Sequence, residues 1–381
     1  MEKELPKSSG DKVQLVHGGI AYFSLLKKLI RGAQDSIYIQ TYIFEEDQTG
    51  IEVANELRVA SQRQVRVFLL VDGFASSHLS KYFINNLEEA GVNFRMFGPL
   101  LKSKYFYLGR RLHHKVVVVD AKYSLVGGIN ISNRYNDMPD QPAWLDWAVY
   151  AEGDVAAQLT DICRQRMQRT SLKNFVRPRK ILHPIKNNVV SIKINDWVRG
   201  KREITKSYLS MFRKAKESII IMSAYFLPNA QFRKELMRAA QRGVKVQVIL
   251  AGPSDVSLSK YAERYMYRWL LKNGIEIYEY QKSVLHGKMA VYDNNWATVG
   301  SYNVNNISAY ASIELNLAVN DRAFGNQVES AFNTIMVNDC LRISAEQMNH
   351  SSLVRRIMQH GAYYIFRILF FLFTFYFKQR D

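Results

Sequence analysis

Cysteine, acidic residues and long apolar runs are all scarce in this 381-residue chain, and each scarcity excludes something. Cysteine occurs twice, at Cys163 and Cys340. Two are too few for a disulfide scaffold or a cysteine-rich zinc site, and both read as free thiols of a reducing compartment. Acidic residues are outnumbered: 34 Asp and Glu face 52 Lys and Arg, for a formal net charge of +18. That surplus predicts an anionic partner (nucleic acid, an anionic membrane or a phosphorylated substrate) without choosing among them. Met1 to Gln14 is polar and mixed in charge, with no apolar region of a secretory signal. Through most of the chain no apolar run approaches the roughly 20 residues of a spanning helix.

What is present is the composition of a folded protein. Apolar residues make up 48% and charged residues 23%, far from the profile of a disordered chain. The length suits two domains, each able to bury a core. The C-terminus stands apart. Ala362 to Phe377 holds six Phe and three Tyr, is interrupted only by Arg367 and Thr374, and is flanked by Arg355, Arg356, Lys378 and Arg380. As a helix it would be about 24 Å long, short of a hydrocarbon core of roughly 30 Å. The expectation is an anchor lying in a membrane surface with its basic residues at the headgroups; the alternative is a buried C-terminal helix.

The chain also repeats itself. Ala33–Phe44 (AQDSIYIQTYIF) resembles Ala215–Phe226 (AKESIIIMSAYF), Gln62–Gly73 (QRQVRVFLLVDG) resembles Gln241–Gly252 (QRGVKVQVILAG), and Glu89–Phe97 (EAGVNFRMF) resembles Lys272–Tyr280 (KNGIEIYEY). Each half reads as helices alternating with short apolar strands, which predicts an α/β fold with a mixed or parallel sheet covered on both faces. Between the halves, Arg164–Lys186 carries eight basic and no acidic residues, with Pro178 and Pro184 inside. It reads as a helix tail followed by an exposed linker, solvated or facing anionic headgroups. The expected division is a first domain over 1–163, a basic linker over 164–190, a second domain over 191–347 and a membrane-anchoring segment over 348–381.

Two segments carry the chemistry. His113-His114-Lys115 leads through four valines to Asp120, with Gly127-Gly128-Ile129-Asn130 following; His286-Gly287-Lys288 leads to Asp293, with Gly300-Ser301-Tyr302-Asn303 following. The His, Asp and Asn positions are all offset by 173 (286 − 113, 293 − 120, 303 − 130). One His-x-Lys says little; two in register are a strong signal. On a strand, alternation puts His113 and Lys115 on one face, and likewise His286 and Lys288. The small residues Gly127, Gly128, Gly300 and Ser301 are expected to let a ligand approach the backbone. Asn130 and Asn303 can add amide donors. If the halves meet about a pseudo-twofold axis, two imidazoles, two ammonium groups and two amides surround one pocket suited to a phosphodiester. His114, on the other side of the strand, is left structural.

At these residues the sequence resembles the phospholipase D superfamily, and the likeness covers roughly residues 11 to 345. The run Trp144–Gly153 (WLDWAVYAEG) and the block Leu285–Asn303 (LHGKMAVYDNNWATVGSYN) are most similar to its bacterial cardiolipin synthase branch, the B type above all. Two N-terminal membrane spans, a mark of the A type, are missing. The resemblance implies two α/β/α sandwiches related by a pseudo-twofold axis. It also implies a phosphatidyl transfer that needs no metal or cofactor and passes through a phosphohistidine, with His113 the better candidate nucleophile and His286 the acid/base. Lys115, Lys288, Asn130 and Asn303 would stabilise charge on the phosphate oxygens. Glu314, 28 residues after His286, and Asp146, 33 residues after His113, are the expected orienting carboxylates. Asp120 and Asp293 complete the two motif sets but sit at the far strand ends, where they are expected to support backbone amides or a nearby cation.

The implied partners are phospholipids, phosphatidylglycerol first and phosphatidylethanolamine as a further acceptor, together with an anionic membrane surface. Pro99–Leu112 (PLLKSKYFYLGRRL), an aromatic and basic insertion leading into His113, is expected to face that surface. The predicted location is the cell membrane, peripheral or monotopic, on the cytoplasmic face. A phospholipase D-type hydrolase or a nuclease of the same superfamily is the competing reading, but nucleic acid requires neither the apolar tail nor the insertion.

Overall fold

The computed structural model describes residues 12–98, 110–167, 189–349 and 353–378. Most of the Pro99–Leu112 insertion and residues 168–186 of the basic segment lie outside these. The first half runs β1 (Val13–His17), α1 (Ile20–Gly32), β2 (Ser36–Thr41), α2 (Gln48–Gln62), β3 (Arg66–Asp72), α3 (Lys81–Glu89), β4 (Asn93–Phe97), β5 (Arg111–Leu112), β6 (Lys115–Val119), β7 (Tyr123–Gly127), β8 (Trp147–Glu152) and α4 (Asp154–Met167). The second half opens with β9 (Val190–Asp196), β10 (Lys201–Arg202), α5 (Glu203–Lys214), β11 (Ser218–Ser223), α6 (Ala230–Gln241), β12 (Lys245–Ala251), α7 (Ser257–Lys272) and β13 (Glu276–Tyr280). It continues with β14 (Lys288–Tyr292), β15 (Trp296–Gly300), α8 (Asn306–Tyr310), β16 (Ser312–Val319), α9 (Arg322–Asn338), β17 (Cys340–Ile343), α10 (Ala345–Asn349) and α11 (Leu353–Lys378).

Each half builds one mixed sheet. The first has the order β1-β8-β7-β6-β2-β3-β4, the second β10-β9-β16-β15-β14-β11-β12-β13-β17. The repeats found in the sequence are the parallel parts, β2-β3-β4 and β11-β12-β13. The motif strands β6 and β14 join these parts antiparallel, beside β2 and β11. Period-2 alternation decides which core each side chain enters. In β6, Val116 and Val118 face a core shared by both halves, while Val117 and Val119 face the core under α1–α3. In β11, Ile220 and Met222 join the shared core, while Ile219 and Ile221 pack toward α5–α7. The fully apolar run of β6 is therefore a strand buried on both faces, and the shared core, which also takes Leu159 of α4 and Phe324, Val328 and Phe332 of α9, welds the two sheets together.

The motif aspartates explain the hairpins that follow the motif strands. Asp120 and Ala121 both have positive φ (54° and 51°), as do Asp293 and Asn294 (47° and 52°). Lys122 N donates to Val119 O at 3.0 Å and Asn295 N to Tyr292 O at 3.1 Å. These are two-residue primed turns, whose twist matches an antiparallel hairpin; Asp and Asn tolerate three of the four left-handed positions, and Ala121 holds the fourth. The Asp120 carboxylate also accepts the backbone N–H groups of Gln34, Asp35 and Ser36; Asp293 does the same for Lys216, Glu217 and Ser218. Each aspartate thereby ties its hairpin to the start of the adjacent parallel strand. Loss of either carboxylate is expected to cost about 2 kcal/mol, the scale of hydrogen bonds to a charged group. Asp120→Ala and Asp293→Ala should thus shift urea midpoints while turnover per folded molecule stays nearly unchanged; collapse of turnover at full folding would assign these residues to the chemistry instead.

Candidate active site

Two short parallel pairings build the site. Strand β5 leaves the first half and pairs with the start of β16, Arg111 opposite Ser312 and Leu112 opposite Ile313. His113 N then donates to Ile313 O at 3.0 Å. The mirror contact joins Leu145 to Leu285 as a parallel bridge, with Leu145 N donating to Val284 O at 2.9 Å and His286 N to Leu145 O at 2.8 Å. The residue before each histidine is thus paired with the residue before a carboxylate of the other half. The side chains follow: His113 Nδ1 lies 2.9 Å from Glu314 Oε2, and His286 Nδ1 lies 2.6 Å from Asp146 Oδ2. Each carboxylate orients the histidine of the opposite half, a crossing that the spacing along the chain does not reveal.

Both histidines and Asn130 line one cavity of about 480 Å3, with Tyr42, Tyr135, Trp144, Tyr225 and the Tyr363–Arg367 stretch of α11 among its other walls. Lys115, Lys288, Ser301, Asn303, Asp146 and Glu314 are buried behind this lining. Lys115 Nζ donates to His113 O at 2.6 Å, and Lys288 Nζ donates to His286 O. Burial, with Lys288 nearby, pushes Lys115 down to about 7, and burial pushes Lys288 down to about 8. Asn130 is not a free donor. Its Oδ1 accepts from Ile43 N at 3.0 Å and its amide donates to Tyr135 Oη at 2.8 Å, which in turn lies 3.3 Å from His286 Nε2. In Asn303, by contrast, the buried Oδ1 has no hydrogen-bond partner among the described residues. His114 is held away from the cavity by Gln40 Oε1 at 2.7 Å.

The two histidine–carboxylate pairs differ electrostatically. Burial tends to raise Glu314, but His113 and the Ser301 hydroxyl outweigh it and hold the group below its ordinary value. Asp146 faces Gly128 where Glu314 has Ser301, and burial pushes it up to about 7 against the pull of Lys288. Burial lowers both histidines; Glu314 opposes that for His113, whereas His286 is pushed further down by Lys288 and Lys115. The His113 side chain is 16% exposed and that of His286 9%.

The small residues have a different use from the one expected. A Cβ at Gly127 would run into the Trp147 carbonyl and Ala148, one at Gly128 into the Asp146 carboxylate, and one at Gly300 into Leu315 O and Asn316. They make room for the neighbouring strand and for the carboxylate, not for a ligand at the backbone. Asp120 and Asp293 lie at the far ends of β6 and β14 and do not enter the site. Sequence reasoning missed Tyr135, although a signal existed: it lies five residues after Asn130 as Ser308 does after Asn303, the same offset of 173. It also missed Asp72, a residue without an equivalent in the second half, where Ala251 stands. Asp72 accepts from Leu112 N at 2.8 Å and so fixes the approach to His113.

The sequence matches the family described as "Cardiolipin synthase, PLD-like domain" over residues 26–160 and 208–336. It is 33% identical over 344 residues to cardiolipin synthase B of Shigella flexneri, covering 88% of this chain and 82% of the relative. It is 34% identical over 357 residues to cardiolipin synthase B of Salmonella typhimurium, covering 91% and 84%. Among solved structures, phosphatidylserine synthase of Haemophilus influenzae superposes with a TM-score of 0.76 at 15% identity over 95% of this chain and 94% of the other, a shared fold. The chain belongs to the cardiolipin synthase family of phospholipase D-like proteins.

The buried lysines set a pH dependence for anion binding. Below about pH 7 both ammonium groups are charged; as pH rises through 7 to 8 their charge is lost in the free protein. An anion that restores it must bind with proton uptake. Sulfate, whose charge is constant from pH 6 to 9, should bind more weakly as pH rises, by about tenfold per pH unit for each proton taken up. Titration calorimetry in buffers of different ionisation enthalpy measures that uptake, and Lys115→Met with Lys288→Met should flatten the profile. A wild-type affinity independent of pH would count against charged lysines at the anion.

Proposed function

We propose that this chain is a phosphatidyltransferase that makes cardiolipin from phosphatidylglycerol with a second phospholipid as acceptor. The observation that carries the proposal is the crossed pairing of two histidines with two buried carboxylates around one partly apolar cavity, in a chain 33–34% identical to two relatives named cardiolipin synthase B.

In this reading His113 is the nucleophile. Its Nδ1–H is held by an ionised Glu314, which leaves the Nε2 lone pair directed at substrate and stabilises the positive charge that develops on attack. Nε2 bonds to phosphorus of the donor and the bond to the glycerol oxygen breaks, with His286 giving its proton to that oxygen. In the free protein burial and Lys288 favour neutral His286; a phosphodiester anion reverses that bias, so a proton enters with substrate. The acceptor hydroxyl then loses its proton to His286, bonds to phosphorus and displaces His113. Lys115 and Lys288 would supply positive charge behind the phosphate oxygens. Tyr135, bonded to Asn130 and placed at His286 Nε2, would hold that ring in position.

The site must meet lipid, and α11 supports a membrane-surface location. Ile357, Met358, Ile365 and Ile368 on this helix are exposed, whereas Gln359 and Ala362 are buried. Among the described residues no helix is long and apolar enough to cross a membrane. The helix is longer than expected, beginning at Leu353, and its described part is both docked on the body and partly exposed.

Purified protein with labelled phosphatidylglycerol vesicles and a metal chelator should release glycerol and form cardiolipin; phosphatidic acid as the sole product would identify a hydrolase. His113→Ala and His286→Ala should each lower turnover by about 10³-fold or more, and labelled lipid trapped on the protein by a neutral denaturing quench should depend on His113 and be released by acid, as a P–N bond is. Separately, Ile365→Glu with Ile368→Glu should reduce co-sedimentation with anionic vesicles, and unchanged binding would place the membrane contact elsewhere.

A further inference from the structure

A second cavity of about 500 Å3 lies between α7 and α11. Among the described residues its lining includes Arg233, Arg268, Arg356 and Arg367 and no carboxylate. Elsewhere arginines are matched with acids: Arg110 with Asp196, Arg213 with Glu235, and Arg264, one turn before Arg268 on α7, with Glu279. Arg268 instead donates to the carbonyl of Met348 at 3.2 Å, and Arg233 to Tyr363 Oη at 3.2 Å. The Arg367 guanidinium lies 5.9 Å from the ring centres of Tyr363 and Tyr364. Stacking of Tyr265 on Tyr363, 4.4 Å between centroids, fastens α11 to α7 across the cleft.

This cleft is not isolated from the chemistry. Arg233, Tyr363 and Arg367 line the catalytic cavity as well, so the two cavities share a wall. The exposed apolar residues Ile365 and Ile368 continue along α11, and acyl chains can leave in that direction. A guanidinium cluster matches a phosphodiester in charge and in its paired hydrogen-bond geometry.

We propose that the α7–α11 cleft binds the phosphodiester of a second anionic phospholipid and holds it as the acceptor. Its headgroup hydroxyl reaches past the Arg233–Tyr363–Arg367 wall to the phosphorus on His113. The inference rests on the transfer reading above. Two phosphates must be accommodated in that reaction: the donor's lies between the histidines, and the acceptor's needs a cationic place of its own. Water or a plain alcohol needs none. When the acceptor hydroxyl attacks, a P–O bond forms, the P–N bond to His113 breaks and the proton passes to His286. When water attacks the same intermediate, phosphatidic acid is released. The cleft therefore governs how the intermediate divides between the two.

The test is Arg268→Glu with Arg356→Glu, two positions that line the cleft and not the catalytic cavity. On phosphatidylglycerol vesicles the ratio of cardiolipin to phosphatidic acid should fall about tenfold, the scale of one lost charge-assisted contact, and the Arg→Lys pair should retain much of the wild-type ratio. A wild-type ratio in the Glu variant, folded by circular dichroism, overturns the acceptor site while leaving the transfer reading intact. Direct binding supplies the second arm. Short-chain phosphatidylglycerol below its micelle concentration should change the emission of Trp269, which lines the cleft, with Trp269→Phe as the control. Inorganic phosphate binding as tightly as that lipid would overturn the lipid proposal in favour of a free-phosphate site. Protein that forms no cardiolipin, yet binds the lipid at Trp269 in an Arg268-dependent way, would refute the transfer reading and uphold a headgroup site.

Discussion

The crossing of β5 onto β16, with its mirror at Leu145 and Leu285, is the constraint on which the site depends. Neither half contains a complete histidine–carboxylate pair. Glu314 stands in the second half with His113, and Asp146 in the first with His286. Backbone hydrogen bonds set the register of each crossing, so main chain as well as side chain places the imidazoles. Asp72 adds to this by holding Leu112 N from the end of β3. The site is therefore complete only where the two halves meet. The shared core of α4, α9 and the inner sheet faces supplies the rigidity that keeps the crossings in place.

Duplication has not left the two pairs equivalent. Ser301 donates to Glu314, whereas the corresponding Gly128 leaves room for the Asp146 carboxylate and offers it no hydroxyl. His113, with Ser301 adding to it, holds Glu314 below its ordinary value, while burial pushes Asp146 up. Tyr135 and Trp144 crowd His286, with ring centroids 5.0 and 6.0 Å away, while His113 faces the cavity beside Tyr42. A few amino-acid differences between the repeats, read through geometry, break a symmetry that the paired motifs by themselves preserve. This is the asymmetry on which the proposed division between nucleophile and proton carrier rests.

The tail adds an element that the duplicated fold does not need. Helix α11, with Tyr363 stacked on Tyr265 of α7 and with Gln359 and Ala362 buried, brings Phe366 and Arg367 to the cavity that the two histidines line. Anchor and buried helix were alternatives in the sequence. In the structure one stretch of helix is docked through Gln359 and Ala362 and leaves Ile357, Ile365 and Ile368 exposed, which fits both readings at once. The net positive charge then resolves into distinct parts: two lysines enclosed behind the histidines, and an arginine-lined cleft at the shared wall. The basic linker and most of the insertion lie outside the described residues.

Much of the fold and the candidate site was legible in one dimension. Internal repetition, the offset of 173 and the strand periodicity around His113 and His286 are local or periodic properties, and they determined the α/β class, the repeated architecture and the paired motifs. They also placed Asp120 and Asp293 at the far strand ends, where primed turns require residues that tolerate positive φ and can bond nearby amides. What only the tertiary structure decided is non-local. Which carboxylate meets which histidine depends on contacts between residues 140 or more apart; why Gly127 and Gly300 are small depends on the neighbouring strand, and how deeply Lys115 and Lys288 are desolvated and where α11 lies depend on burial from several elements at once. Chain spacing carries no record of such contacts, because packing of the two sheets brings the groups together and the low-dielectric interior sets their charge.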